Sequence, residues 1–279
     1  MLSPDFESLL NWLGQFPCES KIGLFLLAWM ILWLPIAIFL GQKFKWRPFQ
    51  PLTPAQKIPL LVPLYLLVPF LTWLTLIIES TSLADYGLSF RPKLLISIGL
   101  GMLLGLGGLG VVFGIESKLG WLTWHRDNLS RLKTFLLPIL GLALWIGLTE
   151  EFVFRGIFQN ILEQDYHQWI AAIFSSSIFT LLHLLWERKD TLPQLPGLWL
   201  MGMVLVGARM VDGESLGLAI GLHAGWIWGL STLDAAELIS YTDEGINWVV
   251  GISKQPLAGV AGIVCLLGTG LILWQFPRF

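Results

Sequence analysis

The sequence predicts an all-α fold, a polytopic bundle of about eight transmembrane helices. Three features carry that reading. The 279 residues are 55% hydrophobic and only 13% charged, with 15 Trp and a mean hydropathy of +0.71, more apolar surface than a soluble domain of this length can hide. The apolar residues come in blocks of about 20, the number a helix rising ~1.5 Å per residue needs to cross a ~30 Å hydrocarbon layer. Finally, the polar connections between blocks are too short to fold as a separate soluble domain.

The first span is expected at about Ile22 to Leu40. It follows Asp5, Glu7 and Glu19 rather than a basic start, and Gly41-Gln42-Lys43 is a poor cleavage site, so it reads as a span and not as a signal peptide. The second, Ile58 to Ile78, is Leu-rich and interrupted by Pro63 and Pro69. In the third, Leu94 to Ile115, Gly99, Gly101, Gly105, Gly107, Gly108 and Gly110 let neighbouring helices approach closely. The fourth runs from Thr134 to about Leu162, the fifth is Trp169 to Trp186, the sixth Leu195 to Val211, the seventh Leu216 to Leu233 and the eighth Leu257 to Trp274. Functionally the chain divides into residues 1–133 (three spans and their loops), 134–233 (the core that carries the polar motifs) and 234–279 (an acidic loop and the last span).

Charge sets further bounds. The net charge of −2 and the scatter of basic residues give no nucleic-acid footprint. Of the 17 Lys and Arg, 11 fall in the connections after spans one, three, five and seven, and 5 on the other side, Arg47, Arg209 and Arg278 being counted among these loop residues; Arg155 is inside a span. The positive-inside rule then places both termini outside. Trp121, Trp124, Trp169, Trp186, Trp248 and Trp274 at span ends fit interfacial belts. Cys18 and Cys265 suggest neither a disulfide nor a metal site.

Ionisable side chains inside a span are costly, so each is a candidate functional residue. Here they are Glu150, Glu151, Arg155, His183 and His223. Glu151 and Arg155 are four apart and share a helix face, so an ion pair is expected; on its own it is as well explained by a structural role. Glu150 points about 140° away from Arg155 at ~100° per residue, which leaves it without a partner in its own helix and free for proton transfer.

Spans four and five are joined by Glu163-Gln164-Asp165-Tyr166-His167 and must form an antiparallel hairpin. Counted from that turn, Glu150 and His183 lie at depths of about 20 and 24 Å and can meet at one level. Phe179, four before His183, can pack on its imidazole. His223 lies roughly 13 Å into the seventh span from the same side. Two histidines and a spare glutamate at similar depth indicate a site. His125 and His167 fall in loops and read as solvated, as does the acidic connection of Asp234, Glu237, Asp243 and Glu244.

The motif EExxxR (Glu150-Glu151-Phe152-Val153-Phe154-Arg155), then FxxxH (Phe179 to His183), then a histidine two spans later (His223), resembles the CAAX protease and bacteriocin-processing family, also called CPBP or Abi. That family includes the type II CAAX prenyl endopeptidases and the lysostaphin-resistance-type bacterial proteins, and the resemblance covers roughly Thr134 to Leu233. It implies an eight-helix intramembrane endopeptidase acting on a membrane-associated peptide or protein. The glutamate matching Glu150 would activate water with the histidine matching His183. His223 would help bind the oxyanion, and Glu151, Arg155 and Phe179 would support this set.

One position departs from the pattern. Family members often carry Asn or Asp four residues after the third-motif histidine, where this chain has Ile227. An oxyanion donor would then come from Thr180, Ser177 or a backbone N–H, or be missing. No cofactor is expected; Glu150, His183 and His223 form an alternative zinc set with an open fourth position, but using Glu150 as a ligand removes the spare base. A rival from another class is a non-proteolytic scaffold or immunity factor that keeps the fold; a proton-coupled carrier is disfavoured by the lack of internal repeats. The location expected is a multi-pass position in the lipid bilayer, at the cell membrane.

Overall fold

The computed structural model describes residues 4–46, 53–185 and 188–275. Trp186, Arg47 and Arg278, which enter the belt and charge patterns above, lie outside them. The helices are α1 (Pro4–Gly14), α2 (Cys18–Lys43), α3 (Pro54–Leu66), α4 (Val68–Ile78), α5 (Pro92–Lys118), α6 (Leu132–Glu151), α7 (Gln159–Glu163), α8 (Gln168–Leu182), α9 (Arg188–Thr191), α10 (Leu195–Val211), α11 (Gly217–Ala235), α12 (Asn247–Val250) and α13 (Val260–Gln275). A π-helix, Phe152–Phe158, joins α6 to α7 without interruption. The chain is an all-α membrane bundle. Among the described residues, six helices are long and apolar enough to cross a membrane, and the eight-span count is approximate. The expected seventh span forms α11, which lies buried among its neighbours, and the eighth is the shorter apolar helix α13.

The second span divides where its prolines require it. Gln56 accepts a hydrogen bond from the Thr53 N–H (3.0 Å) and closes the start of α3, with Pro54 in the first turn. Pro69 has no N–H to give the Tyr65 carbonyl, and the helix breaks at Leu67. The interruption at Leu67 lies two residues after Tyr65.

Close packing of α5 on α11 sets the centre of the bundle. A Cβ on Gly101 would sit 2.3 Å from the Leu218 carbonyl oxygen, and one on Gly221 would sit 2.1 Å from that of Ile98. Only hydrogen at these positions lets the two backbones meet. The glycine run is therefore not uniform in purpose. Gly101, Gly105 and Gly108 face other helices, whereas Gly99, Gly107 and Gly110 have nothing within 4 Å. Leu95, Leu100, Leu103 and Val111 on α5 are exposed, as expected of a helix that turns small residues inward and leucines to lipid.

Outside the spans, two short strands pair antiparallel, β1 (Leu122–Trp124) with β2 (Ile239–Tyr241). Asp234, Glu237, Asp243 and Glu244 are exposed, as expected of the acidic connection, but Ile239–Tyr241 within it is a strand rather than loop. Leu238 is buried, and Glu237 pairs with Arg131 at 2.6 Å. His125 is exposed but bonded to Ser240 Oγ (2.8 Å), and His167 caps α8 by accepting from the Trp169 N–H. Trp124, Trp169, Trp248 and Trp274 are exposed near helix or strand ends, in keeping with interfacial placement.

Candidate active site

Glu150 and Glu151 end α6, and the π-helix begins at the next residue. A π-turn widens the helix and leaves carbonyls poorly served by the regular ladder. Here three consecutive ones take side-chain donors: Phe154 O from Ser175 Oγ (2.6 Å), Arg155 O from an Arg209 guanidinium nitrogen, and Gly156 O from Asn160 Nδ2 (2.6 Å). Two of these donors come from α8 and α10, so the widened turn is held by tertiary contacts. Arg209 is thereby corrected: it is a buried residue of α10, also paired with Glu214 at 3.0 Å, and not a loop cation.

The Glu151–Arg155 pair forms at 3.1 Å, with both side chains fully buried. Arg155 also lies 4.4 Å from the centre of the Phe179 ring, whose negative face offsets part of the cost of burying the guanidinium. On the other side, the arginine fits over Gly202 of α10, where a Cβ would come within 3.1 Å of Nη2. Phe179 contacts more than the sequence suggests. Its centroid is 4.5 Å from that of His183, as the four-residue spacing implies, and 6.1 Å from that of His223.

The two histidines have defined orientations. His183 Nδ1 lies 2.8 Å from the Phe179 carbonyl oxygen, which can only accept, so Nδ1 carries the proton and the neutral ring presents a bare Nε2. His223 Nδ1 lies 2.7 Å from Glu151 Oε1, an oxygen already paired with Arg155; again Nδ1–H donates. His223 Nε2 lies 3.7 Å from Glu150 Oε2.

Glu150 lacks a partner in its own helix, as the helical angle implies, but takes one from α3. The Tyr65 hydroxyl donates to Glu150 Oε1. Tyr65 is buried, with its ring edge-on to Trp145 at 5.7 Å. Sequence reasoning missed it because a neutral phenol in an apolar run does not stand out as a charge does. Its one signal is a phenol in the otherwise apolar, proline-flanked run LVPLYLLVP.

Glu150, His183, His223 and Tyr65 line one cavity of about 1170 Å³. Its remaining walls are mostly apolar, with Trp29, Trp33 and Leu60 on one side and Leu109, Phe113 and Trp226 on the other. Ile227 lines it too. The hydroxyls considered as substitute oxyanion donors do not: Thr180 Oγ1 donates to the Ser176 carbonyl (2.7 Å) and Ser177 Oγ to that of Ile173 (2.7 Å). Among the described residues, three metal-ligand atoms lie within 4.8 Å of one another at Cys18, Glu19 and Asp165, and not at Glu150, His183 and His223. Both cysteines are free thiols.

Residues 132–229 match the family model of the Rce1-like type II CAAX prenyl endopeptidases, a segment that contains Glu150, Glu151, Arg155, Phe179, His183 and His223. Over this segment the chain is similar to the CAAX protease family. The Rce1-like match begins at the start of α6 and ends within α11, so it spans the helices that hold both glutamates and both histidines, whereas Tyr65 lies outside it. No curated protein and no solved structure matches the chain.

Proposed function

We propose that the protein is an intramembrane endopeptidase of CAAX prenyl protease type, in which Glu150 activates water to attack a peptide bond of a membrane-associated substrate. The observation that supports it most is the meeting of Glu150, His183 and His223 around one largely apolar cavity within a bundle of membrane helices. Apolar walls suit a lipid-anchored or hydrophobic peptide, and they exclude the bulk water that would weaken the electrostatics of the site.

In the proposed reaction a water lies between Glu150 and the bare Nε2 of His183. Glu150 takes one proton as the water oxygen bonds to the carbonyl carbon; His183 accepts a hydrogen bond from the other and fixes the attack direction. As the C–N bond breaks, protonated Glu150 returns its proton to the leaving amine. Glu151, Arg155 and Phe179 hold His183 and His223 in place, and His223 stands beside the base, with Nε2 3.7 Å from Glu150 Oε2. The proposed reaction uses no cofactor. The bacterial or eukaryotic cell membrane would supply the substrate, as a prenylated tail or another membrane peptide.

A second reading, a scaffold or immunity factor that retains the fold, draws support from Ile227, which puts an apolar side chain in the cavity one turn after His223. One experiment separates the two. Purified protein in detergent is incubated with fluorogenic membrane-tethered and prenylated peptides, beside Glu150→Gln, with and without a chelator. Cleavage that disappears in Glu150→Gln and survives chelation is expected. Loss on chelation would assign Glu150, His183 and His223 to a metal, and cleavage unchanged in Glu150→Gln would end the glutamate mechanism.

A further inference from the structure

Attack on a carbonyl needs a proton donor for the oxygen that becomes negative, and each imidazole at the cavity has already committed one N–H elsewhere. His183 gives Nδ1–H to the Phe179 carbonyl, and His223 gives Nδ1–H to Glu151. With the rings neutral, neither Nε2 has a hydrogen to offer. If His223 is doubly protonated, its second N–H lies in the ring plane on the atom 3.7 Å from Glu150 Oε2, where the base competes with the substrate for it. Thr180 and Ser177 spend their hydrogens on their own helix, and Ile227 has none.

Tyr65 remains. Its hydroxyl lines the same cavity, touches Glu150 Oε1 and carries its proton at neutral pH. We propose that Tyr65 is a catalytic residue, the hydrogen-bond donor that follows the negative charge from Glu150 to the substrate oxyanion. This rests on the hydrolase reading above and extends it to a residue outside the matched segment. While Glu150 is ionised, the phenol donates to it and keeps it oriented. When Glu150 takes the proton from water, its charge is gone and the carbonyl electron pair has moved to the substrate oxygen. The phenol O–H turns about the Cζ–O bond towards that oxygen, keeping its proton throughout. On collapse the oxygen re-forms C=O, the amine leaves with the proton from Glu150, and the phenol returns to the carboxylate. Burial and the edge-on contact with Trp145 hold the ring, so rotation of one hydroxyl is the only movement required.

The test is steady-state cleavage of a membrane-tethered fluorogenic peptide by wild type, Tyr65→Phe, Ile227→Asn and the double variant, with thermal unfolding in detergent measured for each. Tyr65→Phe is expected to lower kcat by about 100-fold with KM within about twofold, the size of effect seen when one oxyanion donor is removed. Ile227→Asn, which places an amide donor in the same cavity, is expected to return at least tenfold of that loss in the double variant. Fluorotyrosine at position 65 keeps the shape, strengthens the donor and should alter kcat without altering the unfolding midpoint. An unchanged kcat in Tyr65→Phe, or a loss that tracks the unfolding midpoint and is not rescued by Ile227→Asn, overturns the role of Tyr65 while leaving the protease reading intact. No cleavage by wild type removes the protease reading and this role together.

Discussion

His223 Nδ1 sits 2.7 Å from Glu151 Oε1, joining two residues 72 positions apart in the chain. The same oxygen pairs with Arg155, so one buried carboxylate both neutralises the arginine and sets the histidine tautomer. Glu151→Gln should leave the guanidinium without a counter-charge and destabilise the fold by about 3–5 kcal/mol, as breaking a buried pair does. In Glu151→Gln/Arg155→Met the charge is removed from both sides, so unfolding should recover towards wild type while activity stays low. Thermal unfolding and peptide cleavage on wild type and the two variants check this.

Phe179 contacts Arg155, His183 and His223 at once. Phe179→Ala is expected to cost about 3–5 kcal/mol through the cavity it leaves. Phe179→Leu keeps most of the volume but loses the ring face, and should cost about 1–2 kcal/mol from the lost cation–π contact. A ring that served only as filler would show no such difference beyond size, and denaturant unfolding in mild detergent reads it.

Gly221 is held against the Ile98 carbonyl, a backbone atom that cannot move aside. Gly221→Ala should therefore destabilise the bundle by about 1–3 kcal/mol and, by displacing α11 and His223, reduce cleavage. Gly107→Ala is the matched control: nothing lies within 4 Å, and alanine is the better helix former, so it should be neutral or stabilising by up to about 1 kcal/mol.

A pH effect is expected at the turn between α7 and α8. The Cys18 main-chain N–H donates to Asp165 Oδ2 (3.0 Å) and holds this carboxyl below the usual range for aspartate. A depressed folded value means that the stabilising contribution is complete above the ordinary carboxylate range and is lost as pH falls through the folded value. Asp165→Asn should therefore lower the unfolding midpoint at pH 7, with the difference from wild type narrowing below about pH 4. An equal difference at both pH values would remove the ionised carboxylate from the explanation.

Much of the site was legible because charge inside an apolar span stands out. Glu150, Glu151, Arg155, His183 and His223 were all visible as exceptions to the composition, and two spacings of four residues predicted the contacts of Glu151 with Arg155 and of Phe179 with His183. Tyr65 was hidden because a neutral phenol in an apolar run has no such contrast. Arg209 was misplaced because its position near a span end is shared by arginines that reach water. The π-helix had no periodic signature, since its donors Ser175 and Arg209 come from other helices.

By itself the sequence determined that the chain is a bundle of membrane helices and which ionisable groups sit inside it, because hydrophobic length and helical spacing are local properties. Tertiary structure decided which oxygen each histidine bonds, which of the glycines lie at a helix contact, and that a tyrosine from α3 reaches Glu150. Those outcomes depend on the rotation and separation of helices far apart in the chain, set by close packing at Gly101 and Gly221 and by the interruption at Leu67.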